Sequence, residues 1–369
     1  MGNFLHRYPG DDIVVYLEFF KLKELPFRLT PDSDFLYMSK AHSRAKAYMD
    51  YTIWNREGFV VITGEIGCGK TTLIQKLLSE LDENVLVAKV FQTQLDEVEF
   101  LQAVLVEFGL NPFNAKKVEL IDMLNTLLID NFLQLKQIVL IVDDAHNLSV
   151  KVLEEIRMLS GLETRKEKVL HVILVGQPSL SDMLDSPEME QLMQRVRLRY
   201  HIRSLSEHDT RDYIHHRLRI GGADDPDSVF EPDTFSVIFR YTGGLPRLIN
   251  TLCDTALTCA FADNIHTVST ETLKTAIGEL QWLPYAKRVN KRRMETVVSD
   301  GRGGNGFTSA NAKALVNLSD QLERFGNIAP ALTSLSGKIA NIEALLKRIA
   351  DSLESSKPGQ ESSIAKRIK

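Results

Sequence analysis

One short stretch, GEIGCGKTT at positions 64–72, restricts this chain more than any other feature. Gly64 and Gly69 frame Glu65, Ile66, Gly67 and Cys68, and Lys70, Thr71 and Thr72 follow. The apolar run FVVIT (59–63) precedes it, and the helix-patterned TTLIQKLLSEL continues from it. Strand, glycine loop and helix in that order give the pattern its physical meaning. Glycines let the loop turn tightly so that successive N–H groups converge on an anion, and the helix N-terminus faces the same point. This is the Walker A motif of P-loop proteins. It predicts that loop residues 64–72 surround the phosphates of ATP, with Lys70 on the β- and γ-phosphates and the Thr71 hydroxyl on Mg2+. Cys68 has two readings: a thiol made reactive by the helix N-terminus, or a small residue accommodated by packing. The second is the expectation.

The metal needs a second apolar strand that ends in a carboxylate, and IVLIVDD (138–144) supplies it. Asp143 is expected to join Thr71 on Mg2+. Asp144 stands where many such enzymes carry the glutamate that polarises the attacking water. Aspartate is one methylene shorter, so slow hydrolysis is expected. The competing reading makes Asp144 the cap of a helix at 149–160.

Further apolar runs, VLVAKV (85–90) and VLHVILVG (169–176), are bounded by amphipathic segments. That alternation reads as α/β, a parallel sheet sandwiched by helices. After about residue 205 the patterns are helical: SEHDTRDYIHHRLRI, 233–241, 246–261 and 270–280. The expected domains are a leader (1–15), an α/β nucleotide-binding domain that includes a Phe- and Pro-rich N-terminal segment (16–204), and a helical lid (205–284). A basic, Gly-rich linker (285–313), a heptad helix (314–355) and a polar tail (356–369) follow. The heptad seam runs Ile328, Leu332, Leu335, Ile339, Ile342, Leu346, Ile349 and Leu353. Three cysteines without Cys-x-x-Cys spacing suit a reducing compartment. Absence of a signal pattern or long apolar run points to the cytoplasm. A net charge of −5 gives no global reason for nucleic-acid binding, although Lys287, Arg288, Lys291, Arg292 and Arg293 form a local basic cluster.

Taken together, YLEFFKLKELPFRLTPDSDFLY, TGEIGCGKTTL, LIVDDAHNL, LEEIRMLS, LVGQPSL, QLMQRV and TGGLPRLINTLCD resemble the AAA+ ATPases of the general secretion pathway protein A (ExeA) type, especially the secretion ATPases of exosortase/PEP-CTERM loci. The resemblance runs from Tyr16 to Trp282. It implies that Gln177 is the polar sensor against the γ-phosphate, that Arg247 reaches from the lid onto the nucleotide, and that Arg195 is an arginine finger for a neighbouring subunit. Bland alternatives are a capping role for Gln177, an ion pair for Arg247 and a structural role for Arg195. A trans-acting arginine implies a homo-oligomer, ring or helical. Family members usually show Asp-Glu-Ala where this chain has Asp143-Asp144-Ala145. Secretion-pathway members add a membrane helix and a peptidoglycan-binding domain, for which this sequence shows no pattern.

Two functions follow as expectations. One is an ATPase that powers or regulates an export or exopolysaccharide assembly and meets a protein partner, at the inner membrane, through its C-terminal helix. The other is a DNA-binding regulatory ATPase of the transposition target-selection type.

Overall fold

The computed structural model describes residues 16–55, 58–91, 93–163 and 167–291. The leader, most of the expected linker, the heptad helix and the tail lie outside the described residues. The chain divides into two units at Lys287/Arg288, and the first carries all the labelled elements below.

Five strands, β1 (Phe59–Gly64), β2 (Val85–Val90), β3 (Gln137–Val142), β4 (His171–Gly176) and β5 (Val196–Ile202), form one parallel sheet in the order β2-β3-β4-β1-β5. β1 and β4 are buried along their whole length. A strand buried on both faces must be apolar at successive positions, which is why these segments read as unbroken hydrophobic runs. Alternate residues serve opposite faces. Phe59 and Val61 join one core with α3 (Glu97–Glu107), α4 (Lys117–Leu133), α5 (Val150–Leu159) and α6 (Pro178–Leu184). Val60 and Ile62 join the other with α1 (Lys40–Trp54) and α2 (Lys70–Glu80). The short α7 (Glu190–Met193) leads into β5.

β5 was not anticipated. Its sequence, VRLRYHI, alternates half-buried and exposed residues at the sheet edge, so it lacks the apolar run that marked the others.

The lid comprises α8 (Glu207–Ile220), α9 (Thr234–Thr242), α10 (Pro246–Ala262) and α11 (Thr270–Glu279). Its core includes Tyr16, Phe20, Leu22 and Phe27. The N-terminal segment, expected to belong with the sheet, therefore packs into the lid. Tyr16 Oη donates to Asp254 on α10, across most of the sequence of this unit. The expected linker also begins too early: residues 285–291 are helical, and Tyr285 packs on the core beside β5.

Register delivers the site. Thr63 on β1 pairs with Gly176 on β4, and Val142 on β3 pairs with Leu174. The carboxyl ends of β1, β3 and β4 thus share one edge, where parallel α/β sheets bind ligands.

Candidate functional site

The loop after β1 is shaped by two glycines with left-handed backbones, Gly67 (φ +78°) and Gly69 (φ +96°). Gly69 opens α2 without a side-chain cap, which leaves first-turn N–H groups of that helix directed at the loop. Lys70 is buried, and its Nζ donates to the carbonyls of Gly64 (2.8 Å) and Glu65 (3.0 Å). Cys68 is buried, and burial pushes its thiol up, which favours the packing reading.

Behind the loop stands a residue without a recognisable motif. His42 on α1 donates from Nε2 to the Cys68 carbonyl (2.9 Å) and accepts at Nδ1 from Ser39 Oγ (2.7 Å). Ser39 is the N-cap of α1. Burial holds the His42 ring below the usual histidine range, and its bond to the Cys68 carbonyl partly offsets that.

The carboxylate strand meets the loop through side chains. Thr71 Oγ1 donates to Asp143 Oδ2 at 2.7 Å, and the Asp144 N–H donates to Asp143 Oδ1 at 2.9 Å. Burial raises the Asp143 carboxyl above its ordinary value, and these two bonds partly offset it. An aligned hydroxyl and a buried carboxylate form the hard oxygen donor set that suits Mg2+. The residues present therefore fit the ion.

Asp144 is exposed and left-handed (φ +51°), and its side chain caps nothing. The helix it was alternatively expected to cap, α5, is capped by Ser149, whose Oγ accepts from the Val152 N–H. Gln177 likewise makes no side-chain cap bond at α6; its Nε2 lies 2.6 Å from His146 Nε2.

A cleft of about 300 Å3 joins these groups. The loop, Lys70, Thr71, Asp144 and Gln177 line one side. Arg247, Pro246 and Asn250 from α10, Tyr213 and Arg217 from α8, and Arg28–Asp32 from the N-terminal segment line the other. Arg247 pairs with no carboxylate among the described residues, and its backbone N–H donates to the Gly67 carbonyl at 3.1 Å. Arg217 is buried; it donates to the carbonyls of Pro26 and Arg28 and to Tyr213 Oη, and Asn250 Nδ2 also donates to the Arg28 carbonyl (3.1 Å).

A family model described as an AAA domain matches residues 54–184, which contain the loop and Asp143. That stretch of the chain is similar to an AAA domain. General secretion pathway protein A of Aeromonas hydrophila is 40% identical over 256 residues, which cover 69% of this chain and 46% of that protein. The chain thus spans less than half the length of this relative. Solved structures share the fold. The Aeropyrum pernix ORC2 protein, solved as ADPNP–ADP complexes, matches with a TM-score of 0.52 at 16% identity, covering 68% of this chain and 72% of that one. Cdc6p from Pyrobaculum aerophilum matches with a TM-score of 0.51 at 17% identity, covering 67% and 70%.

Of the candidate site residues, Ile66, Gly67, residues 69–72, Asp144, Gln177 and Arg247 line the cleft, and Asp143 is bonded to it through Thr71. Arg195 does not line the cleft. Its Nη1 donates to the Arg157 carbonyl and, at 2.9 Å, to Ser160 Oγ, holding the C-terminal end of α5. Arg199 pairs with Asp185 at 2.7 Å. Among the described residues no helix is long and apolar enough to cross a membrane.

Proposed function

We propose that this chain is an AAA+ protein that binds ATP with Mg2+ in the cleft between sheet and lid and hydrolyses it, slowly, within a homo-oligomer that powers or regulates an export or exopolysaccharide assembly. The observation that carries the nucleotide reading is the 2.7 Å hydrogen bond between Thr71 and Asp143, which joins two motifs 72 residues apart at the mouth of the loop. Loop N–H groups and Lys70 would bind and orient the phosphates. Thr71 and Asp143 would hold the ion, which supplies positive charge beside the phosphate oxygens as negative charge shifts between them. Asp144 would orient the lytic water, and Gln177 would contact the terminal phosphate.

The export assignment is supported by the 40% identity to general secretion pathway protein A, which extends well beyond the loop. Arg195 remains our candidate for a group donated to a neighbouring subunit. The basic cluster that would support DNA binding falls partly outside the described residues, so no observation here raises that second reading.

ATP turnover per subunit, measured across protein concentration beside Lys70→Ala, tests the proposal. Turnover that climbs with concentration and vanishes in the variant supports an assembled ATPase. Absence of nucleotide binding in the parent chain would remove the reading altogether.

A further inference from the structure

We propose that His146 is a positioning residue that links Gln177 to Asp144 from behind the cleft and so directs the short Asp144 carboxylate; this rests on the ATPase reading above. His146 lies in the single helical turn Ala145–Asn147 that follows β3, and its side chain is 10% exposed. It does not line the cleft, whereas both of its neighbours do.

The ring's two nitrogens have distinct surroundings. Nε2 lies 2.6 Å from the Gln177 carboxamide nitrogen. An amide nitrogen only donates, so Nε2 accepts, and the ring proton resides on Nδ1. Nδ1 is buried and has no hydrogen-bond partner among the described residues. Asp144 Oδ1 stands 3.9 Å from it.

A buried donor without an acceptor is an unstable arrangement, and a nearby carboxylate is the group best able to relieve it. Asp144 is free to do so. Its side chain is 57% exposed, makes no other side-chain hydrogen bond among the described residues, and needs to move by about 1 Å to reach bonding distance. Its main chain is fixed by contrast: the Asp144 N–H donates to Asp143, and its carbonyl accepts from Thr93 Oγ1 at 3.1 Å. Only the carboxylate direction is adjustable, and His146 adjusts it.

The completed chain runs carboxylate, imidazole, carboxamide. A terminal phosphate that engages Gln177 fixes the imidazole, and the imidazole fixes the carboxylate. ADP lacks that phosphate and leaves the chain open. A one-methylene-shorter side chain has less reach of its own than glutamate, so a group behind it that sets its direction has more to contribute here.

The test compares the full chain with His146→Ala, His146→Asn, Gln177→Ala and the His146→Ala/Gln177→Ala double variant. Single-turnover ATP hydrolysis and affinity for a fluorescent ATP analogue are measured in parallel. His146→Ala should slow turnover about 10- to 100-fold and change affinity by less than about twofold. The double variant should cost little more than Gln177→Ala alone, because Gln177 is the link through which the terminal phosphate reaches His146. His146→Asn, which keeps a donor near the Nδ1 position, should recover part of the loss. Losses that multiply in the double variant, or affinity that falls in step with turnover, overturn the proposal.

A second readout needs no turnover. Nitrogen-15 spectra of the histidine rings should show His146 protonated at Nδ1. Its signal should shift with a non-hydrolysable ATP analogue and not with ADP, and the shift should disappear in Gln177→Ala. A ring protonated at Nε2, or one indifferent to the terminal phosphate, overturns the proposal. If the parent chain shows no hydrolysis yet the ring responds, the hydrolytic reading fails while the His146 link stands.

Discussion

The backbone N–H of Arg247, in the first turn of α10, donates to the carbonyl of Gly67 at 3.1 Å. The lid is thereby bonded to the phosphate loop itself, and lid position and loop shape are one variable. A Cβ added at Gly67 would stand 2.6 Å from Arg247 Cβ, on a backbone with φ +78°. A left-handed conformation alone costs an L-residue about 1–2 kcal/mol, and the collision forces the lid to shift as well. Gly67→Ala should therefore weaken nucleotide binding by at least about 10-fold while the sheet stays folded. Nucleotide titration beside a thermal melt checks this. Unchanged affinity would mean that lid docking on the loop contributes nothing to binding.

Asp143 yields a prediction of opposite sign for stability and function. Burial raises its folded carboxyl above the unfolded value of 3.8, chiefly by desolvation. A raised folded value favours the protonated form in the fold. Its stabilising contribution is fully present below pH 3.8 and is lost as pH rises through the folded value. At neutral pH the ionised group thus costs stability when no cation is bound. Asp143→Asn should make the nucleotide-free chain more stable at pH 7 than the parent, with the gap closing on acidification towards pH 4. The same variant should lose about 100-fold or more in Mg2+-dependent turnover. Urea unfolding at the two pH values decides the first part. A variant less stable than the parent at pH 7 would show that the carboxylate is already compensated without a cation.

Much of this site was legible because its residues are tied to strand ends. A glycine loop after a fully buried strand, and two aspartates after another, can be found by pattern since parallel strands must be apolar on both faces. Residues that act across the fold were not legible. His42 precedes Cys68 by 26 positions and touches the loop through that residue's carbonyl, which no spacing rule anticipates. Arg217 sits in a run, IHHRLRI, where it resembles any helix-face arginine, yet its guanidinium is buried. β5 escaped because an edge strand with alternating exposure carries no apolar run. The N-terminal segment reads as part of the α/β domain, whereas its aromatic residues complete the lid core.

Arg217 makes the last of these points measurable. Its guanidinium donates to the carbonyls of Pro26 and Arg28, about 190 residues earlier in the chain, and lies over the Phe35 ring at 4.8 Å. Arg217→Met keeps most of the side-chain volume, leaves the Pro26 carbonyl without its donor and leaves the Arg28 carbonyl with Asn250 alone. Leaving a buried polar group unsatisfied predicts a loss of about 1–3 kcal/mol in stability. Because Arg28–Asp32 form a wall of the cleft, nucleotide affinity should fall with it. Chemical denaturation and nucleotide titration test the pair of effects. A variant with full affinity would separate the N-terminal segment from the binding site.

Arg195 poses a sharper question, since its guanidinium already has partners within its own chain. Its bonds to the Arg157 carbonyl and Ser160 Oγ give Arg195→Ala a structural cost of about 1 kcal/mol. Loss of turnover in that variant alone would therefore prove little. Mixing separates the two roles. Lys70→Ala subunits should lack turnover for want of nucleotide binding, yet they still carry Arg195. Subunits with Arg195→Ala keep the loop, Asp143 and Asp144. If the arginine acts across an interface, mixing these two impaired proteins restores turnover, because an intact site then faces an intact arginine. The recovered rate should peak near equal proportions and rise with total concentration, as assembly requires. If the arginine serves only α5 in its own chain, every mixture remains as slow as its parts, and the trans assignment is wrong.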